Sequence, residues 1–240
     1  MIVKNRLLNY KNTYIYQNDE WFKFSLDSVL LVNFATIRLN DKKILDLCSG
    51  NAPIPMLLTF KTKAKIYGVE LQSEIYKLGV KSILENKMDK QIELINDDVN
   101  NIINIFENDS FDLIFCNPPY FKVKEDSNIN NNFIKSIARH ELKIDLDTII
   151  SVSSTLLKNG GNFAMVHRVD RFVEIIDCMR KYKIEPKKIQ FVYPKRDVNC
   201  NLILIEGKKN GKGDLKVLPP LVVSNDDGSY CDSIRSYYQE

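Results

Sequence analysis

From Lys42 onward, short apolar runs alternate with segments whose apolar positions recur every three or four residues. The first pattern predicts buried strands and the second predicts helices packed on them. The strands are "KKILDLC", "AKIYGVE", "QIELIND", "FDLIFCN" and "NFAMVHR". Between them lie "PIPMLLTFKT", a helix opened by Pro53, and "SEIYKLGVKSILENK", with Ser73 as cap and Ile75, Leu78, Ile83 and Leu84 inward. "DLDTIISVSSTLLK" follows as a helix closed by Gly160-Gly161, and "DRFVEIIDCMRKY" is the next. The last two strands, "KKIQFVYP" and "CNLILIEGKK", have no helical segment between them and should form an antiparallel hairpin. Such alternation predicts an α/β fold, a mostly parallel seven-stranded sheet with helices on both faces. Sheets of this kind bind ligands at the carboxyl ends of their strands, near the point where strand order reverses.

The first forty residues have a different rhythm. "TYIYQNDEWFKF" places aromatics on both sides of a Gln-Asn-Asp turn, which predicts a hairpin with Trp21 in its core. "SLDSVLLVNFATIRL" predicts a helix with Ser25 and Asp27 as N-cap types and Leu30, Leu31, Phe34 and Ile37 on one stripe. The expected organisation is an N-terminal extension over 1–40 and one globular unit over 41–240. "KEDSNINNN" and "KKNGKGD" read as mobile loops.

With 240 residues and 44% apolar content the chain can bury a substantial core. No run approaches the ~18 apolar residues of a membrane span, and the first residues lack the apolar region of a signal peptide. A cytoplasmic protein is expected. Cys48, Cys116, Cys178, Cys200 and Cys231 are scattered, which predicts reduced thiols; with two histidines in the chain, no metal site is expected. Net charge is +3, but Arg180 to Lys216 holds eleven Lys and Arg against four Asp and Glu. That local excess suits a polyanion and equally suits a solvated face.

Four polar groups end consecutive strands. "ILDLCSGNAPIP" is an acid, a small-residue loop and a helix start, which brings backbone close to a ligand at a helix N-terminus. Glu70 ends the next strand and can accept from both hydroxyls of a ribose. Asp97-Asp98 ends the third, where a carboxylate can accept from an adenine amine or cap a helix. Asn117-Pro118-Pro119-Tyr120 ends the fourth as a stiff turn, because neither proline continues a ladder. Each alone has a structural explanation; their order along one edge is what points to function.

This order resembles the class I S-adenosylmethionine-dependent methyltransferases, of Rossmann-like fold, and "NPPY" resembles the signature of the branch that methylates amines. "FSLDSVLLVNFA", "NPPYFK", "IARHE", "YPKRDVNCNLILIEGKK" and "LKVLPPLVVSNDDGSYCDSI" resemble the bacterial tRNA adenine-N6 methyltransferases acting on adenine-37 of a valine tRNA. The likeness runs from about Leu7 to Tyr238. It implies that Asp46, Ser49, Gly50 and Asn51 line the loop for S-adenosyl-L-methionine, that Glu70 takes the ribose, and that Asp98 and Val99 meet the adenine. It also implies that Phe24, Leu26 and Asp27 cover the methionine end. Cys48 and Ala52 stand where the family carries glycines.

The turn would hold a planar amine. Asn117 through its side-chain oxygen and Pro118 through its carbonyl can each accept one N–H bond, which favours a pyramidal nitrogen and stabilises its developing charge. Pro119 stiffens the turn, Tyr120 stacks on the base, and Phe121 extends that surface. His140 reads as a structural residue, Arg139 as a phosphate contact, and His167 as packed or solvent-facing. A tRNA partner would meet cations such as Lys187, Lys188, Lys195, Arg196, Arg168 and Arg171, with Lys4 and Arg6. Three other readings share parts of the pattern: a glutamine-amide methyltransferase, a DNA adenine methyltransferase and a non-catalytic RNA-binding protein. The first usually carries a helical N-terminal domain and the second a target-recognition domain.

Overall fold

The computed structural model describes residues 1–7, 12–18, 26–119 and 145–238. It opens with an antiparallel pair, β1 (Ile2–Arg6) and β2 (Tyr14–Asn18). The hairpin expected around Gln17-Asn18-Asp19 thus takes its first arm from "YIYQN", but the described partner is β1. Residues 19–25, with Trp21, lie outside the described residues. Helix α1 (Leu26–Phe34) follows and stops before Ile37, and Leu39 is fully exposed.

The main sheet contains β3 (Lys43–Leu47), β4 (Lys65–Val69), β5 (Ile92–Ile95), β6 (Phe111–Cys116), β7 (Leu157–Arg168), β8 (Ile184–Tyr193) and β9 (Leu202–Lys209). Two short strands, β10 (Lys216–Val217) and β11 (Leu221–Val222), both lie against β8 and raise the count from seven to nine. Pro219 and Pro220 separate them, and proline cannot donate to a ladder. The order is β10-β8-β9-β7-β6-β3-β4-β5. Strands β5, β4, β3, β6 and β7 are parallel, and β9 is antiparallel to both β7 and β8. The chain steps outward from β3 to β5, then returns to lay β6 on the other side of β3. Strand order therefore reverses between β3 and β6.

Apolar side chains pack on both faces. Helix α1 and α2 (Pro53–Leu58) share one cluster with Ile44, Ile66, Leu113 and Phe115. Helices α4 (Leu146–Leu156) and α5 (Phe172–Lys181) cover Leu45, Leu47, Ile114 and Phe163 on the other. Helix α3 (Ser73–Glu85) is capped from Gln72 without a side-chain bond, not by Ser73. It buries Leu78 and Ile83, leaves Ile75 half-buried, and turns Leu84 outward. Strand β2 docks along the side of this helix that carries Ser82. Ser82 Oγ accepts from Tyr16 N–H at 2.9 Å, and Asn86 both accepts from and donates to the backbone of Tyr14 at 3.0 and 2.7 Å. One helix side chain and that of the C-cap Asn86 thus take the place of a neighbouring strand.

Gly160-Gly161 does not close a helix. Helix α4 ends at Leu156 and β7 begins at once, with pairing that jumps from Phe111–Leu157 to Leu113–Asn162. The glycines lie in that bulge, where a Cβ on Gly161 would stand 2.9 Å from the Lys158 carbonyl. Among the described residues no helix is long and apolar enough to cross a membrane.

Candidate active site

The carboxyl ends of β6, β3, β4 and β5 lie side by side. Each carries one of the polar groups marked by the sequence. Strand spacing of ~4.8 Å makes three steps span roughly 14 Å, room for an adenosyl group joined to an amino acid.

The loop after β3 is the most tightly determined part. Cys48, Gly50 and Ala52 all have positive φ, of 61°, 57° and 72°. Every second residue is left-handed, the conformation that favours glycine. The close packing around it also depends on small neighbours. A Cβ on Gly68 of β4 would sit 2.6 Å from Ser49 Oγ, and one on Gly79 of α3 would sit 3.3 Å from the Asn51 carbonyl carbon. Neither glycine stands out in the sequence, because the segment each makes room for lies elsewhere in the chain.

Side chains then lock the loop. Ser49 Oγ donates to Asp46 Oδ2 at 2.8 Å, and Ser49 N–H donates to the Val69 carbonyl at 2.7 Å. Glu70 is buried, and its two carboxylate oxygens accept from Gly50 N–H at 2.9 Å and Gln72 N–H at 2.8 Å. Burial raises the Glu70 pKa above the usual glutamate value against those two bonds. Asn51 Nδ2 donates to the Tyr16 carbonyl at 2.8 Å and ties the N-terminal hairpin to the loop.

Asp46 is 1% exposed, and its Oδ1 is buried with no hydrogen-bond partner. Burial pushes its pKa well up; the bond from Ser49 opposes this and the charge of Glu70 adds to it. Gln17 Nε2, on β2 beside the Asn51 contact, is likewise buried and unpartnered. Orphaned buried groups are costly in a folded chain. A buried carboxylate acceptor such as Asp46 Oδ1 fits the ammonium of an amino-acid end.

Asp98 ends the segment after β5 and caps a short 3₁₀ turn, Val99–Asn104, by accepting from Asn100 N–H at 2.9 Å. Asp97 accepts from Asp98 N–H and Asn101 Nδ2, both at 2.7 Å. Both acids therefore serve the local backbone, and Val99 is buried beside them.

Across the reversal point, Cys116 of β6 pairs with Leu47 of β3, so Asn117 follows directly beside the loop. Pro118 is buried and Pro119 exposed. Asn117 Nδ2 donates to Ser28 Oγ on α1 at 3.1 Å, a partner the sequence pattern did not single out. Leu26 and Asp27 open the same helix. Phe24, Tyr120, Phe121, Arg139 and His140 lie outside the described residues. His167, one residue before the end of β7, is buried, with Nδ1 accepting from Arg168 N–H. Burial, with Arg171 nearby, lowers its pKa to about 4, so the imidazole is neutral.

The expected polyanion contacts divide between the two edges. Arg168, Arg171, Lys195 and Arg196 stand at the carboxyl edge, the first two in ion pairs with Asp170 and Glu174. Lys187 lies toward the other edge and donates to the carbonyls of Lys212 and Gly213. Lys188 is turned inward, donating to the Phe34 carbonyl and Thr36 Oγ1 and facing Glu206 at 3.5 Å. It is a structural lysine and is not presented to a polyanion. Lys4 pairs with Glu85 of α3.

Comparison with known proteins agrees with this geometry. The family model described as "Methyltransferase small domain" matches residues 25–184. A protein of Parabacteroides distasonis named tRNA1(Val) (adenine(37)-N6)-methyltransferase is 25% identical over 202 residues, covering 84% of this chain and 83% of that one. One of the same name from Flavobacterium johnsoniae is 23% identical over 97% of this chain and 99% of that one. Among solved structures, a predicted O-methyltransferase from Agrobacterium tumefaciens superposes with a TM-score of 0.69 at 17% identity, over 89% of this chain and 95% of that one. Geranyl diphosphate C-methyltransferase from Streptomyces coelicolor A3(2) gives 0.58 at 13%, over 76% of each. The fold is that of the class I methyltransferases, and the chain belongs to the methyltransferase small domain family, as an S-adenosylmethionine-dependent enzyme.

Proposed function

We propose that this enzyme methylates the exocyclic N6 of an adenine in tRNA, and that the adenine is position 37 of a valine tRNA. The observation that carries the chemistry is the Asn117-Pro118-Pro119 segment at the end of β6, one strand away from the glycine-like loop after β3. The names of the relatives support the tRNA and the position.

In this reading Asp46, Ser49, Gly50, Asn51, Glu70, Asp98 and Val99 hold S-adenosylmethionine. Asp46 takes its ammonium, Glu70 the ribose hydroxyls and Asp98 the adenine amine through lone pairs left free by the cap. The 1–40 segment closes over the methionine end, with Leu26 and Asp27 at its rim. The cofactor supplies an activated methyl group on a sulfonium.

The residues of the chain act on the amine. An aryl amine is a weak nucleophile because its lone pair is delocalised. Asn117 Oδ1 and the Pro118 carbonyl each accept one N6–H bond and localise that pair toward the methyl carbon. Positive charge develops on the nitrogen and is stabilised by the same two acceptors. The amine becomes acidic only after transfer, so its proton passes to solvent without a general base. Arg168, Arg171, Lys195 and Arg196, at the same edge as the turn, suit the RNA backbone.

The test is methyl transfer from labelled S-adenosylmethionine to tRNA lacking modification, followed by digestion and mass spectrometry. N6-methyladenosine is the expected product. Label in the glutamine of a protein, or cofactor binding without any labelled tRNA, would overturn the proposal.

A further inference from the structure

Helix α1 buries Val29, Leu30, Leu31, Val32 and Phe34. Among them stands one hydroxyl, Ser28, only 3% exposed. Burying a hydroxyl is unfavourable unless a partner satisfies it. The partner lies 89 residues away, the Nδ2 of Asn117 at 3.1 Å. Asn117 is thus held from two sides, by the two prolines that follow it in the chain and by a side chain from the N-terminal segment.

The orientation matters because an amide presents a donor on one side and an acceptor on the other. An amide free to rotate would present its N–H groups as often as its oxygen to an amine. The bond from Nδ2 to Ser28 Oγ restrains the amide against rotation about its Cβ–Cγ bond. We propose that Ser28 is a positioning residue, which restrains the Asn117 side chain beside the substrate amine and links the N-terminal segment to the Asn-Pro-Pro segment after β6. The inference rests on the role given to Asn117 above.

Its signature is kinetic. Ser28→Ala leaves the dissociation constant for S-adenosylmethionine within about twofold and lowers the single-turnover methylation rate about tenfold, the scale of a misdirected group. Ser28→Thr, which keeps the hydroxyl, restores most of that rate. Asn117→Ala alone lowers the rate by about 10²-fold or more. Adding Ser28→Ala to Asn117→Ala costs nothing further, because the serine acts through the amide.

Four variants, each checked for normal thermal unfolding beside the unsubstituted enzyme, decide the matter. A slow Ser28→Ala enzyme, rescue by threonine and no additional loss in the double variant are the expected results. A Ser28→Ala rate within twofold of the unsubstituted enzyme, while Asn117→Ala is inactive, overturns the positioning role and leaves the reading of Asn117 intact. A further multiplicative loss in the double variant marks Ser28 as merely structural. Normal turnover by Asn117→Ala removes the reading of the turn, and Ser28 with it.

Discussion

The backbone N–H of Gly50 donates to Glu70 Oε2 at 2.9 Å, so the acid that ends β4 also fixes the loop that follows β3. One carboxylate thereby does two jobs. It holds the left-handed loop and, in the proposed function, accepts from the ribose. Glu70→Ala should weaken S-adenosylmethionine by about 2 kcal/mol, roughly 30-fold in Kd, the scale of hydrogen bonds to a charged group. Glu70→Gln should lose less, since its side-chain oxygen still accepts. Calorimetric titration reads both, and an unchanged Kd for Glu70→Ala would remove Glu70 from the site.

Cofactor binding should depend on pH through Asp46. Burial raises its pKa well above the ordinary 3.8, so the cofactor-free protein keeps this acid protonated further up the pH scale than an exposed aspartate. The sign follows from linkage. A carboxyl whose folded pKa is raised contributes stability below the unfolded value and loses it as pH rises through the folded value. A bound ammonium reverses that preference by stabilising the ionised form. Affinity for S-adenosylmethionine should therefore rise with pH from the ordinary aspartate range up to the raised value, then level off, with protons released on binding. Asp46→Asn should bind more weakly and lose this slope. A wild-type affinity that is flat with pH would contradict the role of Asp46.

The loop also carries strain that substitution can relieve. Cys48 and Ala52 adopt φ values of 61° and 72°. A left-handed residue with a Cβ is disfavoured by roughly 1–2 kcal/mol, partly offset by the extra freedom glycine has when unfolded. Cys48→Gly should stabilise the protein by about 1 kcal/mol, raising Tm by roughly 2–4 °C in a chain of this size. Thermal unfolding of the cofactor-free protein measures it. A fall in Tm would mean that the Cys48 side chain contributes more by packing than its backbone costs.

Those two residues also show what the sequence conveys. The departure from glycine at 48 and 52 was visible, and the structure explains why glycine is the expected type there. Strand ends were legible because buried parallel strands read as apolar runs, so the first polar residue after each run marks the edge. What the sequence hides depends on contacts between distant segments. Strand β1, "IVKNR", leaves four of its five residues exposed and so has no apolar alternation to reveal it. Gly68 and Gly79 make room for Leu94 of β5 and for Ser49 and Asn51 of the loop after β3. Ser28 looks like an ordinary serine near a helix start until Asn117 is placed beside it. Lys188 counts as a surface charge in any local tally, yet it points into the fold.

The most direct measurement is methylation of a valine tRNA transcript that carries adenine at position 37, set beside the same transcript with guanine there. The enzyme is incubated with each and labelled S-adenosylmethionine, and the modified nucleotide is located by mass spectrometry of nuclease fragments. The account predicts N6-methyladenosine at position 37 of the first transcript and no label in the second. Equal label in both, or a methyl group elsewhere in the first, would contradict it.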